Sequence, residues 1–351
     1  MGYPITLIQG NGEGQEVTEA TQRVLAATGV AIDWQMVTLE TDVLSQSMAL
    51  PDSILANLRA TKVTLMEPIT ASVDDLGLLH MHLTQHLNLF ANVCPVQVIS
   101  GRHPTIDRTN RVIIHDNSPQ VTAGIEFDRS SVEAAEARSF LARLAGQPLQ
   151  ADAALSIHAT SVLGSYQILE FAFRYAQTHG HHQVTVAHRA NRLKHTDGLF
   201  LAVAQEVAQD YRTIKLAEES IECLCAHWMR KPEAYNVIVM PHVYGELLCH
   251  FCAGVTGDSD LSPKAMIGED YAVFTPMLTT GGQFKFTGQV SAMILSGALM
   301  LEHLGEFEAA HHLHRAVMQV IRETHTSNGA VGDLQPLSPL DWAAAIAQQL
   351  T

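Results

Sequence analysis

Nineteen histidines and five cysteines in 351 residues form a large supply of side chains able to bind metal or move protons near neutral pH. Cys223 and Cys225 make a C-x-C pair, and Cys249 and Cys252 a C-x2-C pair. Four such thiols could hold zinc or an iron–sulfur cluster. Both pairs fall in helical pattern, however, and helical side chains two residues apart point about 200° away from each other. Buried free thiols are the expectation. His179, His181 and His182, and His311, His312 and His314, form two further clusters. These are expected to be exposed and without a role in metal binding or pH sensing.

The framework that must position these residues reads as α/β. Ile5–Ile8 is a buried-strand run, and Gly10-Asn11-Gly12-Glu13-Gly14 reads as a turn. Val17, Ala20, Val24 and Leu25 then follow at helical spacing over 16–27. Further strands are predicted at Val63–Met66, Val96–Ser100, Val112–Ile114, Val184–Ala187 and Val237–Met240, several separated by helical stretches as parallel crossovers require. Ala292–Leu301 and a helix carrying Ala310, Leu313, Val317 and Ile321 face the core, with their methionines as filler. No repeat of 20 to 50 residues and no low-complexity linker is visible. A chain that leaves one domain, builds a second and returns would need no linker.

Composition narrows the function classes. Twenty-one Lys plus Arg face 36 Asp plus Glu, for a formal net charge of −15. That balance argues against nucleic-acid binding, which needs a basic footprint. Apolar runs fall short of the ~20 residues that span a bilayer, and the chain enters a strand-like run almost at once. No membrane span and no leader peptide are expected. An odd cysteine count without an export signal fits a reducing cytoplasm.

Four collinear segments resemble the isocitrate/isopropylmalate dehydrogenase family, the metal-dependent β-decarboxylating dehydrogenases. Residues 5–17 are similar to its opening strand, glycine turn and helix. Residues 87–95 are similar to "LDLYANVRP", and residues 184–200 to "VTxVHKANIMKxTDGLF", nearest the isocitrate branch. Residues 235–248 look like "FDVIVTPNLYGDILSD". The resemblance implies two α/β domains around a cleft that a second subunit completes. The large domain would comprise 1–98 and 255–351, and the small domain, with dimerisation elements, 99–254. Gly10, Gly12 and Gly14 would then form a turn feeding a helix rather than a dinucleotide fingerprint.

The family reaction oxidises a 2-hydroxy acid by hydride transfer to NAD or NADP and expels a carboxylate as carbon dioxide. By resemblance, the three arginines that hold substrate carboxylates fall at Thr84, Cys94 and His115, and two other substrate contacts at Leu78 and His80. Each lost hydrogen bond to a charged group removes roughly 1.5–3 kcal/mol. The lysine that handles the hydroxyl proton falls at Arg189, which stays charged and cannot act as a base, while Asn191 keeps the motif's asparagine. The tyrosine acid falls at Thr122. The adenosine loop corresponds to residues 278–290, where Thr279, Thr280, Gly281 and Gly282 offer either an anion cradle or a plain turn. NAD or NADP is left without its usual contacts.

The resemblance places the metal ligands at Glu222, on a helix contributed by the partner subunit, and at Glu246 and His250 on another helix. Residues 246 and 250 share a helix face, and this set moves preference from magnesium toward zinc, manganese or iron. Taken together, these departures imply a noncatalytic regulatory or ligand-binding homologue, as a homodimer or beside an active relative. The alternative is an enzyme of altered chemistry on a different small anionic acid, with a Glu/Glu/His metal site.

Overall fold

The computed structural model describes residues 2–10, 14–39, 50–67, 73–96, 111–119, 125–256, 261–277, 286–328 and 337–350. Ten strands form one sheet: β1 (Tyr3–Gln9), β2 (Ile32–Thr38), β3 (Val63–Met66), β4 (Ala91–Val96), β5 (Arg111–Asp116), β8 (Gln183–His188), β9 (Lys215–Ser220), β10 (Val237–Met240), β11 (Pro263–Ile267) and β12 (Ala272–Pro276). Their order is β2-β1-β3-β12-β11-β4-β5-β10-β8-β9. Strands β3, β5, β10 and β12 are buried along their whole length. Strands covered on both faces read as continuous apolar runs, which is how β3 and β10 appear in the sequence. A separate antiparallel pair, β6 (Ile125–Phe127) and β7 (Leu155–Ile157), stands apart from the main sheet.

Strands from the two chain ends occupy one half of the sheet, and strands from the middle of the chain the other. Strand β4 joins the halves, running antiparallel to both β11 and β5. The sequence predicts a strand at Val96–Ser100, but the observed strand ends where that prediction begins, and residues 97–100 lie outside the described ones. Asn92, Cys94 and Pro95 are poor strand formers, so the ladder to two neighbours overrides local propensity here.

The helices are α1 (Gly14–Ala27), α2 (Asp52–Thr61), α3 (Val73–Leu87), α4 (Val132–Ala145), α5 (Val162–Thr178), α6 (Asp197–Val207), α7 (Ile221–Trp228), α8 (His242–Thr256), α9 (Phe286–His303), α10 (Phe307–Asn328) and α11 (Pro339–Gln348). Helix α1 buries Val17, Ala20, Val24 and Leu25, and α10 buries Ala310, Leu313, Val317 and Ile321, at the spacing the sequence predicts. Helix α9 is buried nearly all round, with Met293 and Met300 in the core. Ser131, Ser161, Ser220 and Ser338 cap α4, α5, α7 and α11 by accepting from backbone N–H groups. No helix among the described residues is long and apolar enough to cross a membrane.

The glycine turn has a specific anchor. The buried Glu67 carboxylate accepts from the Gly10 N–H and, at 2.6 Å, from the Thr18 hydroxyl. A Cβ on Gly14 would overlap that carboxylate, so glycine there lets α1 begin against it. Two expectations need correction. Cys223 is exposed and Cys225 half-buried, because C-x-C on the short α7 cannot turn both thiols inward. His179, His181 and His314 are half-buried, His179 paired with Glu302, while His182, His311 and His312 are exposed as expected.

Candidate functional site

Gly245 lays α8 directly on the sheet. A Cβ at this position would overlap Cβ and Cγ of His115, so glycine alone permits the approach. Residues four apart share a helix face, so Cys249 follows Gly245 onto the sheet. On β4, alternation puts Asn92 and Cys94 on one face, and His115 of β5 lies opposite Asn92 in the register. Cys94, His115 and Cys249 thereby each bring one ligand atom within 4.8 Å of the others. Their exposures of 2 %, 1 % and 4 % put them beneath the helix, out of reach of a bulky solute.

The electrostatics of this group favour one thiolate. A hydrogen bond from Cys249 pulls the Cys94 thiol down from its ordinary range, against burial, with His115 and the Lys264 ammonium assisting. Burial, then the contact with Cys94, pushes Cys249 well up. His115 Nδ1 lies 3.2 Å from the Asp116 carbonyl oxygen, and His242 Nδ1 lies 3.0 Å from the same oxygen. Lys264 Nζ reaches His80 Nδ1 at 3.3 Å. Burial, then the lysine charge, holds His80 well below its usual pKa and therefore neutral. Burial also lowers Lys264, opposed by the two thiols and Glu246.

A family model described as "Isocitrate/isopropylmalate dehydrogenase" matches residues 4–337. The chain belongs to this family. A mitochondrial regulatory chain of the NAD isocitrate dehydrogenase of Dictyostelium discoideum is 30% identical over 332 residues, covering 93% of this chain and 87% of that protein. A mitochondrial catalytic chain of the NAD isocitrate dehydrogenase of Arabidopsis thaliana is 32% identical over 327 residues, covering 91% and 81%. The crystal structure of isocitrate dehydrogenase from Methylococcus capsulatus matches with a TM-score of 0.83 at 31% identity, covering 100% of this chain and 99% of that one. The fold is thus the α/β fold of the isocitrate/isopropylmalate dehydrogenases.

Within this dehydrogenase fold, the three positions expected at substrate carboxylates are closed into protein contacts. Thr84 is buried, and its hydroxyl accepts from Asn117 Nδ2 at 2.9 Å while the same amide donates to the Leu89 carbonyl at 2.9 Å. Cys94 and His115 meet Cys249 instead of an open pocket. Arg111, also on β5, does not replace the missing arginines. It lies four residues before His115, about 13 Å along the strand, and stacks 5.4 Å from the Trp228 ring. Lys264 is the site residue that sequence reasoning missed, whereas Cys249 stands in the C-x2-C pair and is buried as expected. Nothing local marked Lys264.

The remaining candidates are dispersed. Arg189 Nε donates to Glu222 at 2.9 Å, its backbone N–H donates to Asp197 at 2.7 Å, and Asn191 is exposed on the turn beyond. Glu246 is exposed and His250 half-buried one turn later on α8. By resemblance the ligand at position 222 comes from a second subunit, so one chain contributes Glu246 and His250, one carboxylate and one imidazole. That is a poor fit to magnesium, which prefers oxygen ligands. Leu78 is half-buried on α3. Thr122, Thr279, Thr280, Gly281 and Gly282 lie outside the described residues. A cavity of about 380 Å³ opens on the opposite face of the sheet, lined by Val93, Phe171, Tyr175 and Phe274 among others. It includes none of the substrate, metal or proton-transfer candidates.

Proposed function

We propose that this chain is a noncatalytic member of the isocitrate/isopropylmalate dehydrogenase family, acting as a regulatory or ligand-binding subunit, self-associated or beside an active relative. The observation that carries this reading is the closure of Thr84, Cys94 and His115 into the protein interior. These are the positions the family resemblance gives to carboxylate-binding arginines. Three lost charge-assisted contacts, at roughly 1.5–3 kcal/mol each, remove several kcal/mol of substrate binding. Arg189 supports the same reading, since a guanidinium paired with Glu222 cannot accept the hydroxyl proton.

Identity alone does not discriminate. A relative named as regulatory is 30% identical and one named as catalytic is 32% identical, so the site must decide. The test is an assay of the purified chain with isocitrate and with 3-isopropylmalate, each with NAD or NADP and magnesium or manganese. No turnover above background is expected. A rate of order 1 per second, ordinary for a working enzyme, overturns the proposal.

A further inference from the structure

We propose that Cys94, His115 and Cys249 bind one zinc(II) ion beneath α8, with a water or small anion completing the coordination. Two sulfurs and an imidazole are a zinc donor set, whereas magnesium and calcium take oxygen. A tetrahedral ion with Zn–S of about 2.3 Å and Zn–N of about 2.0 Å holds its ligand atoms roughly 3.5–3.8 Å apart. The three atoms already lie within 4.8 Å of one another, so contraction by about 1.3 Å at most completes the set.

The support around the ligands has the form a metal site needs. His115 Nδ1 lies 3.2 Å from the Asp116 carbonyl oxygen, the kind of outer contact that orients a ligating imidazole when the ion takes the other nitrogen. The ligands stand on two paired strands and a helix rather than on loops, so the group is preorganised. The family resemblance places its metal on the 222/246/250 set; this site is a different one, on the inward face of α8. The reading of it as a ligand-holding cleft rests on the noncatalytic proposal above, but the two fail separately.

The test uses the full-length chain purified in reducing buffer without chelator. Elemental analysis is expected to find one zinc per chain. Cobalt replacement should give thiolate-to-metal charge-transfer absorption with the intense visible bands of a tetrahedral ion. Cys94→Ser and Cys249→Ser should weaken that charge-transfer band and lower zinc affinity by more than about 100-fold, beyond what changing an outer residue does. His115→Ala should lower affinity while keeping the band, and Cys223→Ser, at the exposed thiol, should change neither. If the serine variants do not fold, X-ray absorption of the wild-type zinc protein decides. Two sulfurs at about 2.3 Å and one nitrogen at about 2.0 Å support the site. A shell of oxygen and nitrogen only, no zinc after reconstitution, or a Cys94–Cys249 disulfide in the reduced preparation overturns it. A zinc-free but inactive protein removes this site alone; an active dehydrogenase removes the noncatalytic reading alone.

Discussion

Gly245 fixes how closely α8 approaches the sheet, and the consequence of filling it can be stated in advance. An added methyl would overlap Cβ and Cγ of His115, a buried strand residue whose ring is held at the Asp116 carbonyl. Neither side can yield without backbone movement, so Gly245→Ala is expected to lower the unfolding free energy by about 1–3 kcal/mol. Gly254 on the same helix is the control, because a Cβ there meets nothing within 4 Å. Gly254→Ala should be neutral or stabilising by up to about 1 kcal/mol, from helix propensity alone. Urea denaturation of both variants checks this, and a Gly245→Ala protein as stable as the wild type would mean that α8 adjusts freely. Residue spacing made part of this site legible. The family resemblance marked Cys94 and His115 as positions of interest and spacing put positions 246 and 250 on one helix face, but neither could say which strand that helix would meet.

At the level of elements, His179 shows how a residue read as surface histidine becomes a joint between helices. It caps the C-terminus of α5, with Nδ1 2.7 Å from the Tyr175 carbonyl oxygen, and its Nε2 pairs with Glu302 on α9. The ring also stacks on Tyr175 with centroids 3.8 Å apart. Burial works against the charged ring, yet the Glu302 hydrogen bond, the Tyr175 carbonyl and the Glu302 charge together raise its pKa above the usual 6.5. A histidine raised on folding contributes stability that is complete below its unfolded pKa and disappears as pH rises through the folded value. His179→Gln is therefore expected to cost about 1 kcal/mol more near pH 5.5 than near pH 8.5. Chemical denaturation at the two pH values measures it, and an equal cost at both would remove the ion pair from the account. The apolar run that placed α9 was visible in the sequence, whereas the pairing of positions 123 residues apart was not. Strand β4 was missed for a related reason, since its stability comes from neighbours on both sides rather than from its own Asn, Cys and Pro.

For the whole molecule, the alternation of elements and four collinear motifs were enough to read an α/β fold and its family, because both depend on local pattern and order along the chain. Which surfaces meet another protomer depends on what folding leaves uncovered, and α8 makes this concrete. Its inward face carries Gly245, Cys249 and Cys252, its flank carries Glu246 and His250, and its outward face carries Val243, Leu247 and Phe251 at intervals of four. All three outward residues are exposed, and Leu247 most of all at 70 %. Helix α4 adds exposed Val132, Phe140 and Leu144, again spaced by multiples of four. Each helix thus carries an exposed apolar stripe rather than a lone apolar residue, the kind of surface through which a second copy could dock. Leu247→Asp tests this without disturbing the core, since an exposed substitution normally changes monomer stability by no more than about 0.5 kcal/mol. Analytical ultracentrifugation is expected to find the wild type as a dimer and the variant as a monomer, with unchanged circular dichroism. A variant that stays dimeric would move the interface off α8. A wild type that is monomeric by itself would instead assign the stripes to a different partner, such as an active dehydrogenase chain.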